Sequence, residues 1–174
     1  VEAIDQELAD LTRRFAKLRL ALTDQRPART VSQCRAIISE LEGVLGYDDP
    51  DSGIRKALAK YSTKHQTLVD QVAKLLRDAG EKRQARQWQE AVSALDEALV
   101  VDPDNQDAKR VRQEVLSERD TYYERAIRDL CQEATQDSCK EAASVLETFK
   151  AERPVPSVAL TTELQKLLNS TTRK

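Results

Sequence analysis

The residues best suited to metal binding or nucleophilic catalysis in this chain are one histidine, His65, and three cysteines, Cys34, Cys131 and Cys139. By number they could form a zinc site, but zinc sites place two cysteines within a few residues of each other, and no such pair occurs here. Cys131 and Cys139 flank a predicted helix boundary. Cys34 falls on an apolar helix face, where a free cysteine behaves as a small hydrophobic residue. The sequence therefore predicts no metal site.

Catalytic motifs are equally absent from the sequence. A nucleophilic Ser, Cys or Thr needs a base beside it, and His65 instead lies in the apolar row of a predicted helix. We interpret His65 as a hydrogen-bonded packing residue, with a pH switch or a ligand as alternatives. Four scattered glycines cannot form a G-x-x-x-x-G-K-[ST] or G-x-G-x-x-G loop. We expect no catalytic residue, no cofactor and no enzyme activity.

The composition indicates a mostly helical domain. The chain has 174 residues, of which 33% are charged and 40% belong to the hydrophobic set, with only 4 Gly and 5 Pro, a mixture typical of helical proteins. A net charge of −2 and only one Trp, four Tyr and two Phe argue against nucleic-acid binding. The basic clusters at 82–86 and 109–112 are interleaved with acidic residues and are interpreted as solvated helix faces.

The expected setting is the cytoplasm, without membrane insertion. No run of 18 apolar residues and no apolar leader occurs, and three cysteines without close pairing fit reduced thiols. The chain begins at Val1 and contains no Met, so we expect it to be a segment of a longer protein or a processed chain.

Apolar residues in steps of three and four predict about seven helices, alternately long and short, and no strand. In the fifth helix the predicted apolar row includes Val115, Tyr122, Ala126 and Leu130. Thr30 with Gln33 and Ser138 with Glu141 are predicted capping boxes, and Ser157 is the predicted cap of the last helix. The predicted ranges are 1–22, 30–46, 53–85, 88–101, 106–132, 138–150 and 157–168, with a frayed tail over 169–174.

The three short helices share one pattern of apolar residues. Each carries three matching positions followed by a proline: Ile37, Leu41, Val44 and Pro50; Ala91, Leu95, Ala98 and Pro103; Ala142, Leu146, Phe149 and Pro154. A helix–turn–helix unit recurring at a near-constant spacing is typical of a solenoid.

The chain here resembles the tetratricopeptide repeat (TPR) family. Trp88, Ala91, Leu95, Ala98 and Pro103 match that family's turn aromatic, first alanine, large residue, second alanine and proline. The first helices are longer than the family's. The resemblance implies a right-handed stack of antiparallel helix pairs forming one domain over residues 1–170, with units at about 1–50, 51–103 and 104–154 and a closing helix at 157–168.

Such a stack implies a non-catalytic scaffold that binds a partner peptide or helix in a groove. The family's groove positions fall on Arg77, Arg83, Asp107 and Arg110 in this sequence. Three arginines favour a partner with an acidic segment. The alternative is a coiled-coil or helical-bundle module that drives homo-oligomeric assembly through its long helices, because rows in steps of three and four also suit a two-stranded coil.

Overall fold

A computed structural model describes residues 28–43, 53–133 and 135–172, together with seven single positions between 6 and 23. Every regular element among these residues is an α-helix, which confirms the all-α prediction. The predicted first helix, residues 1–22, falls almost entirely outside them. Six helices are described in place of the predicted seven: α1 (Val31–Glu42), α2 (Ile54–Gln84), α3 (Trp88–Val101), α4 (Gln106–Glu133), α5 (Gln136–Ala151) and α6 (Val158–Thr171).

Most helix ends agree with the apolar pattern, but the predicted end of the second helix at residue 46 is wrong, because α1 ends at Glu42 and Gly43 is its C-cap. The third predicted helix was expected to end near residue 85, and α2 ends at Gln84. It runs through Gly80 without a break, and a Cβ atom built on Gly80 would meet nothing within 4 Å. At the other end of the chain, α6 reaches Thr171, three residues beyond the predicted end at Leu168.

The three predicted helix caps have different outcomes. The Thr30–Gln33 box is confirmed. The backbone N–H of Gln33 donates to Thr30 Oγ1 at 3.2 Å, and the backbone N–H of Thr30 donates to Gln33 Oε1 at 3.3 Å. The Ser138–Glu141 box is wrong, because Thr135 is the cap of α5. The Ser138 amide donates to Thr135 Oγ1, and the Thr135 amide to Ser138 Oγ, both at 3.1 Å.

The cap of α6 differs in another way. Ser157 occupies the N-cap position, as predicted, but its side chain makes no capping hydrogen bond. The Thr161 amide bonds to the Ser157 carbonyl instead, at 3.0 Å.

The chain divides into two compact units, Val1–Lys74 with Ala98–Asn105 and Leu75–Glu97 with Gln106–Lys174. In the first unit, α1 packs on the N-terminal part of α2. The buried residues of this core are Ala28, Cys34, Ile37, Leu41, Ala57 and Tyr61, with Ile38, Ile54, Leu58 and Leu68 packed against them.

The second unit is built around α4. Helices α4, α5 and α6 all pack against one another. Helix α3 runs antiparallel to α4, because Asp96 meets Arg112 at 2.6 Å whereas Trp88, earlier in α3, meets Tyr122, later in α4. Only two residues join α4 to α5, so α5 reverses direction and brings Phe149 back to Tyr123.

The buried row of α4 differs from the predicted one. Val115 is buried as expected, but Tyr122 is 40% exposed, and Ala126 and Leu130 are only half-buried. The buried residues of this helix are Ala108, Val115, Arg119, Tyr123, Ile127 and Cys131. The buried row continues through a charged residue, Arg119, and the apolar pattern alone therefore predicts the neighbouring face.

Candidate functional site

The residues that looked suited to chemistry do not assemble into a reactive site. The three cysteines are free and buried, and burial raises the pKa of the Cys34 and Cys131 thiols, which disfavours the reactive thiolate. His65 is half-buried, and its Nε2 has no hydrogen-bond partner, so the expected hydrogen bond is missing at that atom. Within residues 28–43, 53–133 and 135–172, no group of three His, Cys, Asp or Glu side chains could hold a metal ion.

Of the helices that the structure describes, none combines the length and the apolar character needed to cross a bilayer.

The predicted partner-binding residues are brought together only in part. Arg110 binds Asp107 at 3.0 Å and Glu114 at 2.8 Å. Arg83, near the end of α2, reaches across to α4 and donates to Glu114 at 3.0 Å and to both oxygens of Glu118. Glu114 therefore links Arg83 to Arg110, and Asp107 lies at the outer end of the same network.

These contacts neutralise the two arginines. The hydrogen bonds to Glu118 raise the pKa of Arg83 above its usual value, and the same contact lowers the pKa of Glu118. Three carboxylates face two guanidinium groups, so the network carries a net negative charge. An acidic partner at Arg83 or Arg110 would first have to displace Glu114 or Glu118. Arg77 is exposed on α2 and takes no part in the network.

A different arginine lies over an aromatic ring. Arg86 follows α2 in the turn to α3, with a positive φ of 58°, and its guanidinium carbon lies 4.9 Å from the centroid of the Tyr122 ring. Trp88 approaches the same ring with a centroid distance of 6.2 Å. A guanidinium at this distance from an aromatic ring is held by cation–π attraction.

Tyr122 connects this cluster to the core. Its ring meets Tyr123 edge-on at 5.4 Å, and Tyr123 stacks on Phe149 at 4.8 Å. Phe149 is fully buried, whereas Tyr122 is 40% exposed. Three rings, Tyr122, Tyr123 and Phe149, therefore run from the surface to the interior, and the exposed ring contacts a buried ring on each side, Trp88 and Tyr123.

The contacts of Arg83 and Arg86 fall on one face of α4. We call the α4 stripe the row of residues spaced four apart, in which successive members are neighbours on the helix and the row winds gradually around it because four residues exceed one turn of 3.6: Arg110, Glu114, Glu118, Tyr122, Ala126 and Leu130. Its first half is the ion-pair network, and its second half is apolar and partly exposed. The junction between the halves is Tyr122, beneath Arg86.

Sequence reasoning missed this junction. Arg86 stands two residues before the recognised turn aromatic Trp88, but a cation–π contact with a residue 36 positions away leaves no local signal. The apolar pattern predicts Tyr122 as part of the buried row, whereas its side chain is 40% exposed. The sequence does contain one signal for this junction. Arg110, Glu114, Glu118 and Tyr122 are spaced four apart, so the row changes from charged residues to an aromatic residue at Tyr122.

Two buried polar residues of α4, Arg119 and Tyr123, form hydrogen bonds to the segment that connects α5 and α6. Arg119 donates to the Pro154 carbonyl at 2.6 Å and to Asp120 at 2.8 and 3.0 Å. The Tyr123 hydroxyl donates to Glu152 Oε1 at 3.0 Å. Burial and this hydrogen bond raise the pKa of Tyr123 to about 12.

Comparison of the chain with protein-family models, with curated proteins and with solved structures finds no match.

Proposed function

We propose that this chain is a non-catalytic protein-interaction scaffold built as a TPR-like array of helix pairs. The observation that carries the proposal is the partly exposed Tyr122, whose ring contacts Trp88, Tyr123 and Arg86 on a helix whose opposite side is buried against its neighbours. Trp, Tyr and Arg are the residues enriched at the energetic centres of protein interfaces. Rigid aromatic side chains also lose little conformational entropy when they bind.

The repeat character is supported by burial at equivalent positions. Ile37, Ala91 and Ala142 are each at most 1% exposed, as are Leu41, Leu95 and Leu146 at the second position of the frame. At the third position Ala98 and Phe149 are fully buried, and Val44 lies outside the described residues. Small residues that are fully buried allow neighbouring helices to approach closely.

The arrangement around α4 supports the same reading. Helices α3 and α5 run antiparallel to α4. Arg128 of α4 meets Glu163 of α6 at 2.7 Å, which fits a first helix of one pair beside the first helix of the next. In a TPR-like array such first helices line the surface that binds partners.

The alternative is homo-oligomeric assembly through coiled-coil contacts of the long helices, and it has less support. A coil between two chains needs an apolar row that one chain leaves exposed. In α2 the candidate row includes Tyr61, Val72 and Ala79, which are at most 4% exposed within a single chain. The face that α2 exposes carries lysines, threonines and glutamines.

The proposal is tested by capture followed by reconstitution. The tagged chain is used to capture proteins from an extract of its source cells, and each captured protein is then purified and titrated against the chain by calorimetry. A saturable complex of defined stoichiometry is the expected result. If purified candidates show no heat of binding and the chain associates only with itself, the assembly alternative replaces the scaffold.

A further inference from the structure

The arginines of the second unit differ in their partners. Six of them pair with a carboxylate within 4 Å: Arg83, Arg110, Arg112, Arg119, Arg125 and Arg128. Arg86 instead contacts the Tyr122 ring, and no carboxylate of the described residues pairs with it. A stacked guanidinium keeps its N–H groups in the plane of the group, where they remain available to an oxygen ligand.

The stacking also fixes where such a ligand would bind. Arg86 is exposed, but it is placed over a ring that is itself held by Trp88 and Tyr123. A guanidinium that is already oriented loses less freedom on forming a bidentate contact with a carboxylate. The neighbouring Arg83 cannot serve in this way because Glu114 and Glu118 occupy it.

An apolar row begins beneath Arg86 and leads away from it along α4. Tyr122 is 40% exposed, and Ala126 and Leu130 follow it along the α4 stripe, both half-buried. At 1.5 Å per residue the distance from Tyr122 to Leu130 along the helix is about 12 Å. A ligand that is complementary to this surface would carry a negative charge at one end and apolar groups along the remaining length.

We infer that the surface formed by Arg86, Tyr122, Ala126 and Leu130 binds an acidic segment of a partner protein. A carboxylate of the segment pairs with Arg86, and apolar side chains beside it cover Tyr122, Ala126 and Leu130. This inference rests on the proposed scaffold function and adds the chemistry of the partner. It places the acidic contact at Arg86, in the turn between α2 and α3, and not at Arg83 or Arg110.

A selection that makes no assumption about the site tests the inference. A random library of twelve-residue peptides is displayed on phage and selected on the parent chain. We expect the enriched peptides to place Asp or Glu beside large apolar residues. Their affinity should fall about tenfold for Arg86→Gln, the effect of losing one charge-assisted contact, and should fall for Tyr122→Ala as well.

Arg35→Gln is the matched control. Arg35 of α1 is exposed like Arg86 and has no carboxylate partner among the described residues, but it contacts no ring, so its removal should leave the affinity unchanged. Trp88 provides an independent readout, because it is the only tryptophan in the chain and lies 6.2 Å from Tyr122. Its emission should change saturably as a selected peptide is titrated into the parent.

Three results would overturn the inference: no enrichment, enriched peptides without carboxylates, or equal binding to the parent and to Arg86→Gln. Circular dichroism of Arg86→Gln excludes a folding defect as the cause of lost binding. If a captured partner binds Arg86→Gln as well as the parent, the scaffold function stands and only the assignment of this surface fails. If neither a partner nor a peptide binds, both proposals fail.

Discussion

At the scale of single residues, the buried polar side chains of Arg119 and Tyr123 stabilise the packing of the second unit. Arg119 is 2% exposed and lies 5.6 Å from the ring of Phe149, yet its guanidinium also bonds to Asp120 and to the Pro154 carbonyl. A buried charge is tolerated only when its donors are occupied. Arg119 thus connects the α5–α6 segment to α4 at the point where Tyr123 does the same.

Tyr123 makes this connection sensitive to alkaline pH. Its pKa is about 12, compared with 10 for an ordinary tyrosine. Below pH 10 both the folded and the unfolded chain keep the proton. Between pH 10 and 12 only the unfolded tyrosine ionises, so the free energy of unfolding decreases as the pH rises through this window.

Replacing Tyr123 by Phe should remove this decrease. From urea denaturation at pH 9 and pH 11, we expect the parent to lose about 1 kcal/mol more than Tyr123→Phe. Tyr122→Phe, which removes an exposed hydroxyl, controls for the loss of a hydroxyl as such. Equal losses in the parent and in Tyr123→Phe would show that the hydrogen bond to Glu152 does not hold the proton.

At the scale of helices, the repeated frame of small and large residues determines how closely neighbours pack. Leu95 is completely buried in α3, between the fully buried Ala91 and Ala98. We expect Leu95→Ala to lower the free energy of unfolding by about 2–5 kcal/mol, because the lost side chain leaves a cavity that the surroundings fill only partly. The measurement is urea denaturation followed by circular dichroism.

Val100→Ala on the same helix is the control for this substitution. Val100 is 74% exposed, and a surface change of this kind should alter the stability by no more than about 0.5 kcal/mol. A Leu95→Ala variant as stable as Val100→Ala would contradict the packing described for α3.

Much of the helical framework follows from local sequence. The bounds of α3 were predicted because Trp88 opens its apolar row and Pro103 ends it, and the Thr30 cap because Gln33 stands three residues later. The cap of α5 was misplaced because Thr135 also has a hydrogen-bonding residue, Ser138, at the required spacing. The Thr135–Ser138 and Ser138–Glu141 boxes overlap and have similar local sequence signals, so the tertiary fold is needed to decide between them.

The candidate site was less accessible to prediction. Arg83 was named from the repeat resemblance, but its partners Glu114 and Glu118 lie 31 and 35 residues away and no local pattern joins them. Arg86 depends in the same way on Tyr122. Such contacts arise only when α2 and α3 pack beside α4. In addition, the buried row of α4 differs from the predicted apolar row, because it includes the charged residue Arg119.

At the scale of the whole molecule, much of the apolar row of α2 is covered within one chain. Tyr61, Val72 and Ala79 of α2 are buried without a second copy, and the exposed face of that helix is polar. We therefore expect a monomer near 19.6 kDa at both of two widely separated concentrations, measured by light scattering on a gel-filtration column. A mass that doubles with concentration would favour the assembly alternative.

Gly80 has a practical consequence for all these experiments. It lies inside α2, where glycine is less favourable than alanine by about 1 kcal/mol, and the space beside it is open for at least 4 Å. Gly80→Ala should therefore raise the midpoint of urea denaturation. A parent chain carrying this substitution would have a margin of stability against which weakened variants stay folded, so that a loss of affinity can be distinguished from a loss of folded protein.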